Sequence, residues 1–239
     1  MKKLFIANWK MNLGFRQSVA LAQKYKLLAD KKFKLAIAPG FPMLKAIKQL
    51  GFDVAAQNCS AWASGAHTGE VSCDLLKELG CRYVIIGHSE RRIELGESNE
   101  LINKKMAQAV LSKLTPVLCF GEKKNQLKNR EKVIVEQIKT ALNLVKPTKL
   151  ILAYEPVWAI GSGYNCSADE VNRVYQFVRD LIVNLSGQTF FDKNVDFLYG
   201  GSVDSKNIKA YANQKFLAGL LVGKSSLNIK ETVKMANWL

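Results

Sequence analysis

One carboxylate in this chain arrives with the surroundings that a general base needs. The run Ala153-Tyr154-Glu155-Pro156-Val157-Trp158-Ala159-Ile160-Gly161-Ser162-Gly163 follows a short, almost wholly apolar segment, Lys149 to Ala153. That pattern suits a strand buried on both faces of a parallel sheet, so Glu155 emerges where the strand ends. Pro156 fixes its own φ and biases Glu155 toward extended geometry, while Gly161 and Gly163 permit the dihedrals of a hinged loop. A base beside its own lid is one reading, and an ordinary connection to the next helix is the other. Two further segments tip the balance. Tyr83-Val84-Ile85-Ile86-Gly87-His88-Ser89-Glu90-Arg91-Arg92 is a second buried-strand pattern, and it ends in one of only two histidines. If Ser89 opens a helix, its N-terminal N–H groups disfavour an imidazolium and favour a neutral ring that donates to a carbonyl oxygen. In Leu4-Phe5-Ile6-Ala7-Asn8-Trp9-Lys10-Met11-Asn12, Asn8 and Lys10 alternate onto one side of an extended segment. A lone lysine at a strand end is otherwise a solvated charge.

Such groups need a scaffold that gathers strand ends. Apolar strand candidates lie near residues 3–8, 34–38, 52–57, 83–87, 116–120, 149–154, 195–199 and 217–222, alternating with helical periodicity. Eight strands with crossovers is the count of an α/β (β/α)8 barrel, eight parallel strands surrounded by helices. Leu21, Tyr25 and Leu28 share one helical face, Ile134, Ile138 and Val145 a second, and Val171, Val174, Val178 and Leu181 a third; these stripes are core. Ser167-Ala168-Asp169-Glu170 has the pattern of a capping box that starts the helix after the Glu155 loop. The polar groups then all fall at C-terminal strand ends, the face where barrel active sites sit.

Composition narrows the class. At 239 residues, 26.7 kDa and 48% hydrophobic residues, one barrel domain over residues 1–239 is expected. The chain shows no secretory h-region, apolar run of membrane length or low-complexity linker, so a soluble, unprocessed chain without membrane contact is expected. Five cysteines with neither CxxC nor zinc spacing argue against a disulfide framework and a metal site, and for a cytoplasmic protein. The net charge of +15 raises nucleic acid as a partner. Lysines scattered among acids, as in Lys128-Asn129-Arg130-Glu131-Lys132, and the lack of an arginine-rich arm argue against it. A field attractive to an anionic metabolite is the better inference, although such a substrate does not require +15.

Several matches occur together and in order. They are Asn8 with Lys10, Ala56-Gln57-Asn58, Gly65-Ala66-His67-Thr68-Gly69-Glu70, Gly87 to Arg92, Cys119-Phe120-Gly121-Glu122, the Glu155 loop, Tyr199-Gly200-Gly201-Ser202-Val203, and Leu221-Val222-Gly223. Over nearly its whole length the chain thereby resembles the triosephosphate isomerase family. The resemblance implies a TIM barrel that interconverts dihydroxyacetone phosphate and D-glyceraldehyde 3-phosphate through an enediolate, in glycolysis and gluconeogenesis, without cofactor or metal. It implies Glu155 as base, neutral His88 as the group that polarises the carbonyl and shuttles hydroxyl protons, Lys10 as the positive charge for oxyanion and phosphate, Asn8 as a further hydrogen bond, and Glu90 as an orienting partner. Gly161, Ser202, Gly223 and Lys224 match the phosphate cradle. Pro156, Val157, Trp158, Ala159 and Ile160 match the lid, supported by Tyr154 and Glu122, and Tyr199 with Ser202 its latch. For the long loop from Ala61 to Glu70, read alone as a solvated Ω-loop, the resemblance implies insertion into a second subunit and hence a symmetric homodimer in which Thr68 braces Asn8 and His88 of the other subunit.

Three departures from the family pattern stand out. Lys224 replaces a common second glycine, Ala218 replaces a common aspartate and with it a supporting ion pair, and Tyr164-Asn165-Cys166 forms an unusual exit hinge, whose larger groups are expected to alter opening and closing. Two rivals bear on the function. Another barrel enzyme of phosphorylated substrates would share the phosphate turns but not Asn8, Lys10, His88 and Glu155 together. A catalytically silent basic barrel that binds a phosphometabolite would tolerate loss of Glu155.

Overall fold

Segments of branched and small apolar residues, with charges only within their first two positions, form the strands, because a strand covered on both faces has no place for a polar side chain. They are β1 (Leu4–Asn8), β2 (Lys34–Ala38), β3 (Asp53–Ala56), β4 (Cys81–Ile86), β5 (Thr115–Phe120), β6 (Leu150–Tyr154), β7 (Val195–Tyr199) and β8 (Gly219–Val222). The computed structural model describes residues 2–28, 33–159 and 165–239. Its strands are all parallel and close into a barrel in chain order, with β8 paired to β1. At that seam a Cβ on Gly219 would come within 1.9 Å of the Leu4 carbonyl oxygen, so only glycine lets the last strand reach the first.

Side chains alternate along each strand, and the alternation sorts the core into two layers. Leu4, Ile6, Ala36, Ala38, Ala55, Tyr83, Ile85, Val117, Cys119, Ile151, Ala153, Leu198 and Leu221 fill the barrel. Their neighbours, among them Phe5, Ile37, Val84, Leu118, Leu152 and Phe197, face outward into a larger layer beneath the helices. Those helices are α1 (Phe15–Tyr25), α2 (Leu44–Gln49), α3 (Cys73–Glu78), α4 (Ser89–Ile93), α5 (Asn99–Leu111), α6 (Arg130–Leu142), α7 (Ala168–Ser186), α8 (Gln188–Asn194), α9 (Ile208–Ala212) and α10 (Ile229–Ala236). No described helix is long and apolar enough to cross a membrane.

The expected strands all form, β2 and β7 with the expected bounds and the others with ends displaced by one or two residues. β4 starts two residues before the expected position 83, at Cys81, and β8 starts two residues after the expected 217. Two helical stripes need correction. Helix α6 stops at Leu142 and Leu144 takes a φ of 58°, so Val145 belongs to the following connection. On α7 the buried fourth member is Ile182 rather than Leu181. The capping box is half formed: Ser167 Oγ accepts from the Glu170 N–H at 3.2 Å, but the Glu170 carboxylate turns away to Arg130 and Arg173.

Candidate active site

The C-terminal ends of β1, β4 and β6 bring Asn8, Lys10, His88 and Glu155 onto one cavity of about 370 Å³. Glu155 is only 2% exposed. Its N–H donates to the Phe120 carbonyl at 2.8 Å, continuing the β5–β6 ladder one residue past the strand. The backbones approach so closely that a Cβ on Gly121 would lie 1.9 Å from the Glu155 carbonyl oxygen. That glycine sets where the carboxylate leaves the barrel. One carboxylate oxygen, Oε2, accepts from the Ser89 N–H at 2.9 Å, and Oε1 lies 3.2 Å from His88 Nε2.

His88 is the N-cap of α4, and its Nδ1 accepts from the Glu90 N–H at 3.3 Å. A nitrogen that accepts a backbone proton has none of its own, so the remaining proton sits on Nε2, which faces Glu155. The Glu90 carboxylate stands 3.6 Å from Nδ1, beyond hydrogen-bonding reach, and instead binds the Lys10 ammonium at 2.5 Å. Glu90 therefore pairs with Lys10.

Lys10 adopts a φ of 51°, a region costly for any residue with a Cβ. Two groups hold it there. Asn8 Oδ1 accepts from the Lys10 N–H at 3.1 Å, and Gln57 Nε2 donates to the Lys10 carbonyl at 2.9 Å while also donating to the Ala38 carbonyl. Sequence reasoning noticed Gln57 only as part of a matching tripeptide; it lies just past the end of β3, and its partners follow β1 and end β2, which only the closed barrel brings near. Arg92 was missed as well. Its guanidinium donates to the Gly87 and Cys119 carbonyls and to Asn99, tying the start of α4 to β4 and β5. Burial pushes the Cys119 thiol well above its ordinary range, with the Glu155 charge adding to the effect, so a neutral thiol lies beside the carboxylate.

Both flanks of the segment expected to form the lid are anchored. At the entry, Glu122 is fully buried and accepts from Trp158 Nε1 at 2.9 Å, from Tyr154 Oη at 3.1 Å and from Arg130 Nε at 3.1 Å. Burial and the Glu122 charge both raise the Tyr154 pKa, which keeps the phenol a donor. Val157 N–H donates to the Glu122 carbonyl, and Ser202 Oγ donates to the Ala159 carbonyl at 2.7 Å. Pro156 leads this segment from Glu155. At the exit, Tyr199 Oη accepts from the Cys166 N–H at 3.2 Å, and Tyr211 donates to the Cys166 carbonyl at 2.6 Å while accepting from Asn165. Tyr199 and Tyr211 stack at 4.5 Å. Cys166 is buried, its thiol pushed up to about 12 by burial and then by Glu170, so the unusual hinge residue is packed into the fold. Tyr211 was absent from the sequence reading, since nothing local to it signals a partner 45 residues away. The expected roles of Ile160, Gly161 and Tyr164 lie outside the described residues.

Ser202, Gly223 and Lys224 line the same cavity. Lys224 is exposed and opens a 3-10 turn, Lys224–Leu227. It is not among the residues with positive φ, so lysine at this position carries no left-handed strain. Near Ala218, the Lys3 ammonium binds backbone carbonyls, those of Gln214 and Leu217, at 2.9 and 2.8 Å. Thr68 is exposed on the loop between β3 and α3, outside the residues that line the cavity. The loop is pinched at its base by a 2.8 Å bond from Ser60 N–H to the Val71 carbonyl, and Trp62 stacks on His67 within it at 4.2 Å.

The profile of the triosephosphate isomerase family matches residues 3–239. The chain is 39% identical to the triosephosphate isomerase of Aquifex aeolicus over 248 aligned residues, which cover 98% of each chain. It is 39% identical to that of Mesomycoplasma hyopneumoniae and 37% identical to that of Clostridium botulinum, again over 98% of each chain.

Proposed function

The chain belongs to the triosephosphate isomerase family, and from that premise we propose how its own residues divide the reaction. It is an intramolecular aldose–ketose isomerase of a cofactor-independent family, interconverting dihydroxyacetone phosphate and D-glyceraldehyde 3-phosphate. Triosephosphate isomerases are the standard case of a carboxylate base facing a neutral imidazole, so that pairing is inherited from the family rather than discovered in this chain.

Glu155 takes the proton from C1 of dihydroxyacetone phosphate and returns it at C2. His88, with its proton on Nε2, donates to the carbonyl oxygen and moves the hydroxyl protons of the enediolate. Lys10 stabilises the oxyanion and the phosphate, where a charge held in place by Glu90 needs no reorganisation as the negative charge develops. Asn8 adds a hydrogen bond and holds the Lys10 backbone. In the present arrangement His88 Nε2 and Glu155 engage each other, so bound substrate must come between them and free both for its own C–H and C=O groups.

Gly161, Ser202, Gly223 and Lys224 form the phosphate cradle, chiefly through backbone N–H groups. The lid of Pro156, Val157, Trp158, Ala159 and Ile160 excludes water and protects the enediolate from losing phosphate. Tyr199 and Ser202 latch its two ends. The protein works in the cytoplasm as one barrel domain and as a homodimer, in which Thr68 braces Asn8 and His88 of the other subunit. Five cysteines that are all free and buried suit a reducing compartment.

The observation that carries this reading is the chain of contacts from the Glu90 N–H to His88 Nδ1 and from His88 Nε2 to Glu155. A silent binding barrel gains nothing from it. Glu155→Gln removes the proton acceptor at nearly constant size, so kcat should fall by at least the roughly 10²–10⁴-fold typical of general-base loss, while a phosphate-bearing inhibitor still binds. Retention of most of the isomerase rate would return Glu155 to the role of a loop residue.

A further inference from the structure

The strands carry their charges only near their first residues, and the barrel gathers those residues at its N-terminal mouth. Lys34 opens β2, Arg82 is second in β4, Thr115 opens β5, Lys149 immediately precedes β6 and Asp196 is second in β7. With Lys2 they surround a pit of about 70 Å³. Four cations face one carboxylate there. Arg82 gives one nitrogen to Asp53 at 2.9 Å and Lys149 pairs with Asp196 at 3.0 Å, whereas Lys2 and Lys34 pair with no carboxylate among the described residues.

The floor of the pit supplies an independent observation. Tyr83 is 5% exposed, with its ring among the side chains that fill the barrel and the Arg82 guanidinium 5.4 Å from the ring centre. Its hydroxyl forms no hydrogen bond with the described residues, yet it lines the pit. The hydroxyl is not one of the enclosed polar atoms, so it opens onto the space of the pit. A proton to donate, opening onto a pit where four cations outnumber the Asp196 carboxylate, suits an acceptor with negative charge. The pit has room for roughly two waters at ~30 Å³ each, the size of one tetrahedral oxyanion.

We infer that the N-terminal mouth of the barrel is an oxyanion site for a single phosphoryl group, held by Tyr83, Arg82, Lys34 and Lys2. It lies one strand length from Glu155, roughly 15 Å for five residues, so it is separate from the catalytic cradle. A depression of about 500 Å³ adjoins the pit, sharing Lys2 and Asp196 with it and walled by Tyr175 and Phe216, whose rings stack at 5.0 Å. A phosphate monoester could lay its organic part there, whereas free phosphate would leave it to water.

Two measurements test the site. In crystals grown without phosphate or sulfate and soaked in arsenate, anomalous scattering should locate one oxyanion in the catalytic cavity and a second among Lys34, Arg82 and Tyr83. In calorimetric titrations with inorganic phosphate, Lys34→Gln combined with Arg82→Gln should weaken the second site at least tenfold, and Tyr83→Phe about two- to fivefold. Both should leave kcat/KM for isomerisation unchanged. Lys10→Met should do the reverse, weakening only the catalytic site. Adenosine monophosphate that binds the mouth tenfold more tightly than phosphate assigns the depression to an organic moiety, and equal binding assigns the site to the free ion. A single arsenate position in the catalytic cavity, or mouth affinity that survives the double substitution, overturns the proposal.

Discussion

Lys10 concentrates three demands in one residue: a charge proposed to face the substrate, a backbone in the left-handed region and a fixed carboxylate partner. Lys10→Met keeps much of the stem and removes the ammonium. Both substrate binding and the developing oxyanion lose their counter-charge, so kcat/KM should fall by the roughly 10²-fold or more that follows loss of an electrostatic stabiliser. A normal kcat/KM would reduce Lys10 to a solvated surface charge. Lys224 is the opposite case. Its backbone is unstrained and its side chain is exposed, so salt screens its field. Lys224→Gly should change KM by well under the roughly tenfold that corresponds to 1.4 kcal/mol. A rise of tenfold or more that high salt abolishes would make its ammonium a phosphate ligand. Asn8, Lys10, His88 and Glu155 could be read from the sequence because each stands where an apolar run stops. Gln57, Arg92 and Tyr211 could not, because each works by bonding the backbone of a segment that only the closed barrel brings near.

The proposed lid is held at both of its flanks, and the two anchors differ in chemistry. The entry is fixed by a buried carboxylate with three donors, and the exit by two stacked tyrosines on the Cys166 backbone. Tyr211→Phe removes the donor to the Cys166 carbonyl and the acceptor for Asn165. A net hydrogen bond contributes about 0.5–1.5 kcal/mol, so kcat/KM should fall roughly 2- to 12-fold, with a larger effect on closure than on melting temperature. A lowered melting temperature with unchanged kcat/KM would make Tyr211 a packing residue only. The strands themselves were legible, since two-sided burial leaves an uninterrupted apolar run. Their ends were not, because register in a closed barrel admits Arg82 at the mouth and excludes Leu217 from β8. Ser167 capped its helix as its spacing predicted, but Arg130, distant in sequence, drew Glu170 out of the box.

For the whole molecule, the question is what covers the side chains that the barrel leaves outside. Met11 is 98% exposed and Phe15 and Trp62 are 55% and 44% exposed, all near the catalytic face or on the loop expected to reach a second subunit. Deletion of the loop from Ala61 to Glu70 should yield monomers with reduced activity even when they remain folded. Sedimentation and kinetics on one sample decide the point, and a fully active monomer would remove Thr68 from the proposed brace. The barrel was legible in outline from eight alternating elements. Assembly was legible only through the family resemblance, because an apolar side chain reads the same whether its cover comes from its own chain or from another. The gathering of Lys2, Lys34 and Lys149 at the N-terminal mouth likewise had no local signature, since it arises only when strand starts converge.

The left-handed backbone at Lys10 has a bearing on how variants of this protein would be selected. A residue with a Cβ in that conformation costs about 1–2 kcal/mol relative to glycine. A library ranked by thermal tolerance alone would therefore favour Lys10→Gly, and, given the role proposed for Lys10, its best-scoring members would be heat-resistant proteins that have lost isomerase activity. Breeding a hardier catalyst from this chain means fixing position 10 first and seeking every gain elsewhere.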